Sequence, residues 1–205
     1  EVMVDTFNRD DIKVIDWANI DTSIETESRW RFGVFRPDSV QQKFIEYLMQ
    51  DNDYSFIIDD DDTGESADIV AIKDHADKII VYLWHCKYSS SENPGNRVND
   101  LYEVCGQAQK SVKWTWNFNT LIKHLHKRES VCLNNRPTRF IKGSISNLNT
   151  LRKSSKRKFI EYQIGIVQPG LSKQNMPPDH LAILGATNSL IQCMTNKTLA
   201  VYASQ

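Results

Sequence analysis

No apolar run in this 205-residue chain approaches the ~20 residues that a helix needs to cross a bilayer. Nor does a basic-then-apolar leader open it, because the first residues are acidic and mixed. The four cysteines, Cys86, Cys105, Cys132 and Cys193, stand far apart with no CxxC pair. That argues against a zinc ribbon or a redox dithiol and predicts buried, reduced thiols. Glycine and proline are sparse, and the chain has no low-complexity tract or internal repeat. What remains, 40% apolar and 25% charged, is the composition of one globular domain with a real core. The chain opens on Glu1 rather than Met, so it reads as a piece of a longer polypeptide.

A net charge of −1 conceals a steep polarity. Residues 1–65 hold 17 acidic and 6 basic side chains, whereas residues 120–160 hold 11 basic groups and a single acid, Glu129. Such asymmetry suits a polyanionic partner for the basic part, or two faces that attract each other.

Periodicity divides the chain into an N-terminal arm (1–37) that packs on a domain (38–205). In the arm short apolar groups (Val2, Val4; Ile12, Val14, Ile15, Trp17) alternate with acids. Arg36-Pro37-Asp38-Ser39 starts a helix capped by Asp38 or Ser39, and Val40, Phe44, Tyr47 and Leu48 give its apolar stripe. Strands follow at Tyr54–Ile58, Ala67–Ile72 and Lys78–Cys86. The third strand is apolar on both faces, Val81 and Leu83 against Ile80, Tyr82 and Trp84, as in a central strand covered by helices on each side. After a polar loop at Pro94-Gly95 comes a helix over Arg97–Val112, with Val98, Leu101, Tyr102, Cys105 and Val112 as its stripe. A basic helical insertion (about 117–157) carries helices at 118–128 and 144–154, separated by Arg136-Pro137. A strand at Phe159–Val167 stops at Gln168-Pro169-Gly170, and a helix at 179–194 and a strand at Leu199–Ala203 complete the chain. Three successive strands and then alternating elements predict an α/β fold with a mixed central sheet flanked by helices on both faces.

The most informative stretch is Gly64-Glu65-Ser66-Ala67-Asp68, followed by His85-Cys86-Lys87 at the end of the third strand. His85 and Lys87 share a face, and a hairpin of the two strands brings Asp68 near Lys87. A carboxylate there can ligate Mg²⁺ or Mn²⁺, and a neighbouring lysine can orient water or offset charge on a phosphorane. The acids would hold metal and the basic insertion phosphates.

In element order and in these residues the chain resembles the PD-(D/E)xK nuclease superfamily. Asp68 matches the first acid and Lys87 the lysine, while His85 stands where the second acid belongs. The resemblance implies a divalent-metal-dependent phosphodiesterase on a four-stranded mixed sheet, restriction-endonuclease-like, acting on DNA. The string from His85-Cys86-Lys87-Tyr88-Ser89 through Pro94-Gly95-Asn96-Arg97-Val98 to Gln107-Ala108-Gln109-Lys110-Ser111 is also similar to C-terminal regions of prokaryotic DEAD/DEAH-type helicase proteins of phage defence and mobile elements. That implies a helicase module in the same polypeptide and a cytoplasmic location. The missing oxygen ligand could come from Glu65 in the turn or from Glu46 on the first helix, with the Cys86 carbonyl as a further ligand. His85 itself could ligate, since imidazole accepts Mn²⁺ more readily than Mg²⁺.

Other candidates touch nucleic acid rather than metal. Gln107, Gln109 and Lys110 lie on the helix expected to cover the site. Arg152, Lys153, Lys156, Arg157 and Lys158 can grip a backbone without reading sequence. Trp114, Trp116 and Phe118 can stack on bases or pack in a core. A calcium-loop reading of Asp59–Asp62 fails, because the twelfth position from Asp59 is Val70. The run reads instead as a solvated acidic turn, with a secondary metal contact as the minor option. Two further readings compete with a nuclease: a nucleic-acid-binding module without activity, and a protein-interaction domain.

Overall fold

The computed structural model describes residues 6–23, 27–90, 97–131 and 138–205. Val2 and Val4, the Pro94-Gly95 turn, Cys132 and the Arg136-Pro137 break lie outside them. The elements in chain order are β1 (Lys13–Val14), β2 (Trp30–Arg31), β3 (Val34–Phe35), α1 (Val40–Met49), β4 (Tyr54–Asp59), β5 (Ile69–Asp74), β6 (Lys78–Cys86), α2 (Val98–Ser111), α3 (Phe118–Ser130), β7 (Phe140–Lys142), α4 (Ile145–Ser154), β8 (Phe159–Ser172), α5 (Pro178–Thr195) and β9 (Ala200–Ser204). Seven strands form one mixed sheet in the order β1-β9-β8-β6-β5-β4-β7, and β2 and β3 make a separate hairpin. β4, β5 and β6 are an antiparallel meander joined by short turns. β8 and β9 join β6 in parallel, which requires the helical crossovers that α2–α4 and α5 supply.

The two faces of β6 separate two cores. Ile79, Val81 and Leu83 pack with Leu101, Val104, Ala108, Leu121, Ile122 and Leu184 from α2, α3 and α5. Trp84 and Cys86 pack with Phe44, Ile45 and Leu48 of α1. Helices therefore cover both faces, as the two-sided apolar pattern predicts. Ser39 caps α1, its hydroxyl accepting the Gln42 amide.

Several elements depart from the sequence reading. The second strand begins at Ile69, not Ala67, and runs on to Asp74. β8 does not stop at Gln168: it crosses a bulge to Ser172, and the buried Gln168 side chain accepts the Gly170 amide at 2.9 Å. A bulge is where a strand tolerates the missing amide of Pro169. On α2, Tyr102 faces solvent while Val104 and Ala108 take up the inward stripe. Cys193 is exposed, and only Cys86 and Cys105 are buried among the described cysteines. The basic insertion is not wholly helical, because β7 extends the sheet beside β4. The arm contributes regular structure as well: β1 pairs with β9, and Ile12 and Ile15 are buried. The sheet is thus wider than the four strands the resemblance implies. No described helix is long and apolar enough to cross a membrane.

One close approach fixes how β8 sits against β6. Gly165 lies opposite Trp84, and the indole meets Phe44 at 5.0 Å and Tyr202 at 5.5 Å between ring centroids. A Cβ at position 165 would overlap the indole and come within 2.9 Å of the Ala200 carbonyl oxygen. Gly165→Ala is expected to cost about 1–3 kcal/mol, as overpacking of a filled core does. A lower urea midpoint with an unchanged m-value would record it.

Candidate metal centre

The site lies where β4 ends and β5 begins. The β5–β6 register pairs Ile69 with Trp84, so Asp68 stands opposite His85 at the end of the meander. Its Oδ2 accepts the Cys86 amide at 2.7 Å. Its carbonyl accepts the Asp60 amide and Gln41 Nε2, each at 3.0 Å. The residue is therefore held from the strand on one side and from α1 on the other. Carboxylate oxygens of Asp61, Glu65 and Asp68 lie within 4.8 Å of one another.

The acidic turn that carries two of these groups is solvated only in part, with Asp61, Asp62 and Glu65 half-buried. Asp59 and Asp60 are fully buried. Asp60 Oδ2 accepts the Ser66 amide at 2.8 Å, the Ser66 hydroxyl at 2.7 Å and His124 Nε2 at 3.1 Å, while Oδ1 accepts Arg128 Nε at 2.8 Å. Arg128 also donates to the Thr63 carbonyl at 2.8 Å. Arg139, itself buried, donates through Nη1 to the Asp59 and Asp61 carbonyls at 3.0 Å. Gln41 Nε2 donates to Asp59 Oδ1 at 3.1 Å. Gly64 turns the chain at φ 86°, and the Asp62 amide donates to Glu65 Oε2 at 3.1 Å.

These contacts sort the carboxylates electrostatically. Burial pushes the Asp60 carboxyl up, but His124 and the Ser66 bonds outweigh it and hold the group below its ordinary value. Asp68 goes the other way: burial first, then the charges of Asp61 and Glu65, raise it well above the usual carboxylate range. Burial raises Glu65 as well, against the Asp62 amide and the positive charges of Arg128 and Lys110.

A cavity of about 410 Å³ opens beside this cluster, lined by the turn 61–66, His85, Gln107, Lys110, Lys113 and Trp114. His85 is only 2% exposed, and neither of its ring nitrogens has a hydrogen-bond partner among the described residues. Its Nδ1 is 3.8 Å from Asp68 Oδ2. Burial, and after it Lys110, pull the imidazole down to about 3, so it is neutral.

Asp68, Glu65, His85, Gln107 and Lys110 are thus brought together, and other candidates are not. Lys87 does not meet Asp68; its ammonium pairs with Glu103 at 2.9 Å and Glu27 at 3.2 Å. Burial opposes its charge, but the bond to Glu103 and the charge of Glu27 raise Lys87 above its usual value. Glu46 is exposed and accepts Gln42 Nε2; the α1 residue that reaches the cluster is Gln41, about one turn earlier. Cys86 presents its amide to Asp68, where the sequence points to a carbonyl ligand. Gln109 is turned to α5, donating to Thr187 Oγ1 at 3.0 Å.

The basic run lies far from the acids. Phe159 pairs with Lys78 and Val167 with Cys86, so eight residues, about 26 Å at 3.3 Å each, separate the Lys158 end of the run from the end of the sheet that carries the acids. Lys158 there binds Asp74 at 2.6 Å and the His75 carbonyl at 2.7 Å, stapling the β5–β6 turn. Lys153, Lys156 and Arg157 are exposed, and Arg152 is half-buried. Of the three aromatics, Trp114 walls the cavity and lies 4.4 Å from the His124 ring, Trp116 is exposed and Phe118 is in the core.

Sequence reasoning missed Gln41, Arg128, His124, Arg139 and Lys113, and singled out Asp61 only as one acid of a run with a minor option of metal contact. Gln41 had a signal: it is a polar residue on the buried side of α1, beside Val40, Phe44 and Ile45. His124, Arg128 and Arg139 had none, since the groups they bind on the acidic turn lie more than 60 residues away. Compared with known proteins, the chain matches no family model, no curated protein and no solved structure.

Removing one partner of a buried ion pair strands the other. Arg128→Ala is expected to cost about 3–5 kcal/mol. A double-mutant cycle with Asp60→Ala, read by urea unfolding, should give a coupling of more than about 1 kcal/mol.

Proposed function

We propose that this chain is a metal-dependent nuclease domain of the PD-(D/E)xK kind, restriction-endonuclease-like in arrangement, which hydrolyses phosphodiester bonds of DNA. In this reading it works beside a helicase module of the same polypeptide in the prokaryotic cytoplasm. The observation that carries the proposal is the gathering of Asp61, Glu65 and Asp68 at one sheet end, beside a cavity rimmed by lysines. Three carboxylates, one of them buried without a cation against it, suit a divalent ion better than they suit each other. The orphaned nitrogens of His85 in the same wall fit that assignment.

Asp61, Glu65 and Asp68 would hold Mg²⁺ or Mn²⁺. When bound, such an ion polarises a scissile phosphate and makes a coordinated water more acidic. The chain's own residues do the rest. Lys110 and Lys113 meet the phosphate charge at the mouth of the cavity, and Trp114 gives a flat wall for a base or sugar. Gln41, Arg128 and Arg139 keep the turn from relaxing under the repulsion of its acids. Lys87 serves here as the tether of Glu27 and Glu103, so the transition-state charge falls to Lys110 and Lys113. That tethering also favours a second reading, a module that binds DNA without cutting it.

End-labelled single- and double-stranded DNA, incubated with the chain and Mg²⁺ or Mn²⁺, separates these readings. Cleavage that EDTA stops is expected. Asp68→Asn should lower it about 10²–10³-fold, the size of losing one preorganised charge-stabilising group; Glu46→Gln and Lys156→Gln should leave it unchanged. Salt-sensitive binding with no cleavage under either metal would overturn the nuclease reading in favour of the second. Absence of binding even at low salt would overturn both, in favour of a protein-interaction domain.

The basic run gives a further expectation. Joint replacement of Lys153, Lys156 and Arg157 by Gln should weaken DNA binding little or not at all at 150 mM salt, because a Debye length of about 8 Å screens charges some 26 Å from the cavity. Lys110→Gln should weaken it clearly in the same fluorescence-anisotropy titration.

A further inference from the structure

We infer that the β2–β3 hairpin is a DNA contact, in which Phe32 stacks on an unpaired base while the arginines around it meet phosphates. The inference rests on DNA as the partner in the proposed function and adds the element that engages bases beside the acid cluster.

The hairpin has an unusual turn. Its two short strands pair Trp30 with Phe35 and Arg31 with Val34, which leaves Phe32-Gly33 as the whole loop. Both loop residues have positive φ, 50° and 77°. That is the pattern of a type I′ turn, whose first position favours Asn, Asp or Gly. A bulky side chain there is a backbone outlier that costs stability, and such strain concentrates at functional sites. Here it presents a ring to solvent, since Phe32 is 91% exposed. The stem beneath is firm. Trp30 and Phe35 lie 5.4 Å apart between ring centroids, and the Arg36 amide donates to the Arg29 carbonyl at 2.8 Å.

Charge selects the kind of partner. Arg29, Arg31 and Arg36 alternate with the aromatic residues of the hairpin. The Arg31 guanidinium lies 5.4 Å from the Phe32 ring centroid, and that of Arg29 lies 5.2 Å from the Phe35 ring and 3.9 Å from Asp59. Glu27, the acid at the foot of β2, is occupied by the Lys87 ammonium at 3.2 Å and the Tyr88 amide at 3.0 Å. A cation beside an exposed ring is the combination that holds single strands, ring on base and guanidinium on phosphate. An apolar protein surface is a poor match for it, because burying guanidinium groups there is costly.

Placement ties the hairpin to the acids. The Arg29 amide donates to Gln41 Oε1 at 2.7 Å, and the Gln41 amide donates to the Glu27 carbonyl at 3.1 Å. The same Gln41 side chain donates through Nε2 to Asp59 Oδ1 and to the Asp68 carbonyl. Hairpin and acid cluster therefore share one anchor. Three residues, at most about 10 Å of extended chain, separate Arg29 from Phe32. A base held on Phe32 fixes the strand against sliding and sets which part of its backbone crosses the acids. The structural alternative is a hairpin that packs against another protein or another part of a longer polypeptide.

Fluorescence anisotropy with a labelled oligothymidylate and an abasic strand of the same length, at low salt with EDTA to prevent cleavage, tests the contact. Phe32→Asn removes the ring and gives the turn its favoured Asn-Gly sequence, so the urea midpoint should stay level or rise. Its affinity for oligothymidylate should nevertheless fall about 5–150-fold, the loss of one base stacked on an aromatic ring. Binding of the abasic strand should not change. Phe32→Tyr, which keeps the ring, should bind both strands as the wild type does. Unchanged oligothymidylate affinity in Phe32→Asn would overturn the inference in favour of a protein contact and leave the nuclease reading intact. Equal weakening on both strands would overturn it too, since the ring would then act only through the shape of the chain. If the wild type binds neither strand, the inference and the DNA reading fall together. Should Phe32→Asn fail to fold, Phe32→Ala takes its place with the same outcomes.

Discussion

Four consecutive aspartates, Asp59–Asp62, leave the end of β4, and two of them are buried. Such a turn cannot persist unless cations and amides replace the water its carboxylates lose. Arg128 and His124 take the Asp60 carboxylate, Arg139 takes the carbonyls on either side, and Gln41 takes Asp59. Once those groups are satisfied, the remaining acids of the loop have a defined place. Asp61 and Glu65 are then set beside Asp68, whose own backbone is held by the same Gln41 and by the Asp60 amide. The placement of the three clustered acids thus depends on a neutralised carboxylate that is not one of them.

This arrangement divides the charge of the molecule differently from the way it is written along the chain. Part of the basic insertion is consumed internally, Arg128 and Arg139 on the acidic turn and Lys158 on Asp74. The polarity between the N-terminal and central segments is therefore in part an internal attraction, carried by Arg128 and Arg139. The cations left at the cavity mouth, Lys110 and Lys113, come instead from α2 and the turn that follows it. Asp68 receives no such compensation, and its raised affinity for a proton expresses that deficit in another form.

Much of the architecture was legible because the strongest signals are local. β6 was readable to the residue from its two-sided apolar pattern, and α1 from Pro37, Ser39 and its stripe. The β8 boundary was not, since Pro169-Gly170 reads as a stop wherever the bulge that accommodates it is invisible. β7 is three residues long and owes its existence to β4, so no periodicity could announce it. In the site, Asp68, Glu65 and His85 were legible from strand ends and spacing. The direction of Lys87 was not, because Glu27 and Glu103 reach it from an arm and a helix whose placement is tertiary. Asp61 was hidden in a run whose acids differ only in which of them the distant arginines claim.

The clamp also imposes an order in time. Asp60 and Arg128 are 68 residues apart in sequence, and Arg139 donates to a carbonyl 80 residues before it. The meander of β4, β5 and β6 closes through short turns, whereas these contacts must await loop closure over the whole of α2 and α3. On a ribosome adding about 5–20 residues per second, roughly 4–16 s separate the emergence of Asp59 from that of Arg139. Through that interval the nascent strands carry their acids unclamped, and the centre acquires its shape only when the insertion docks.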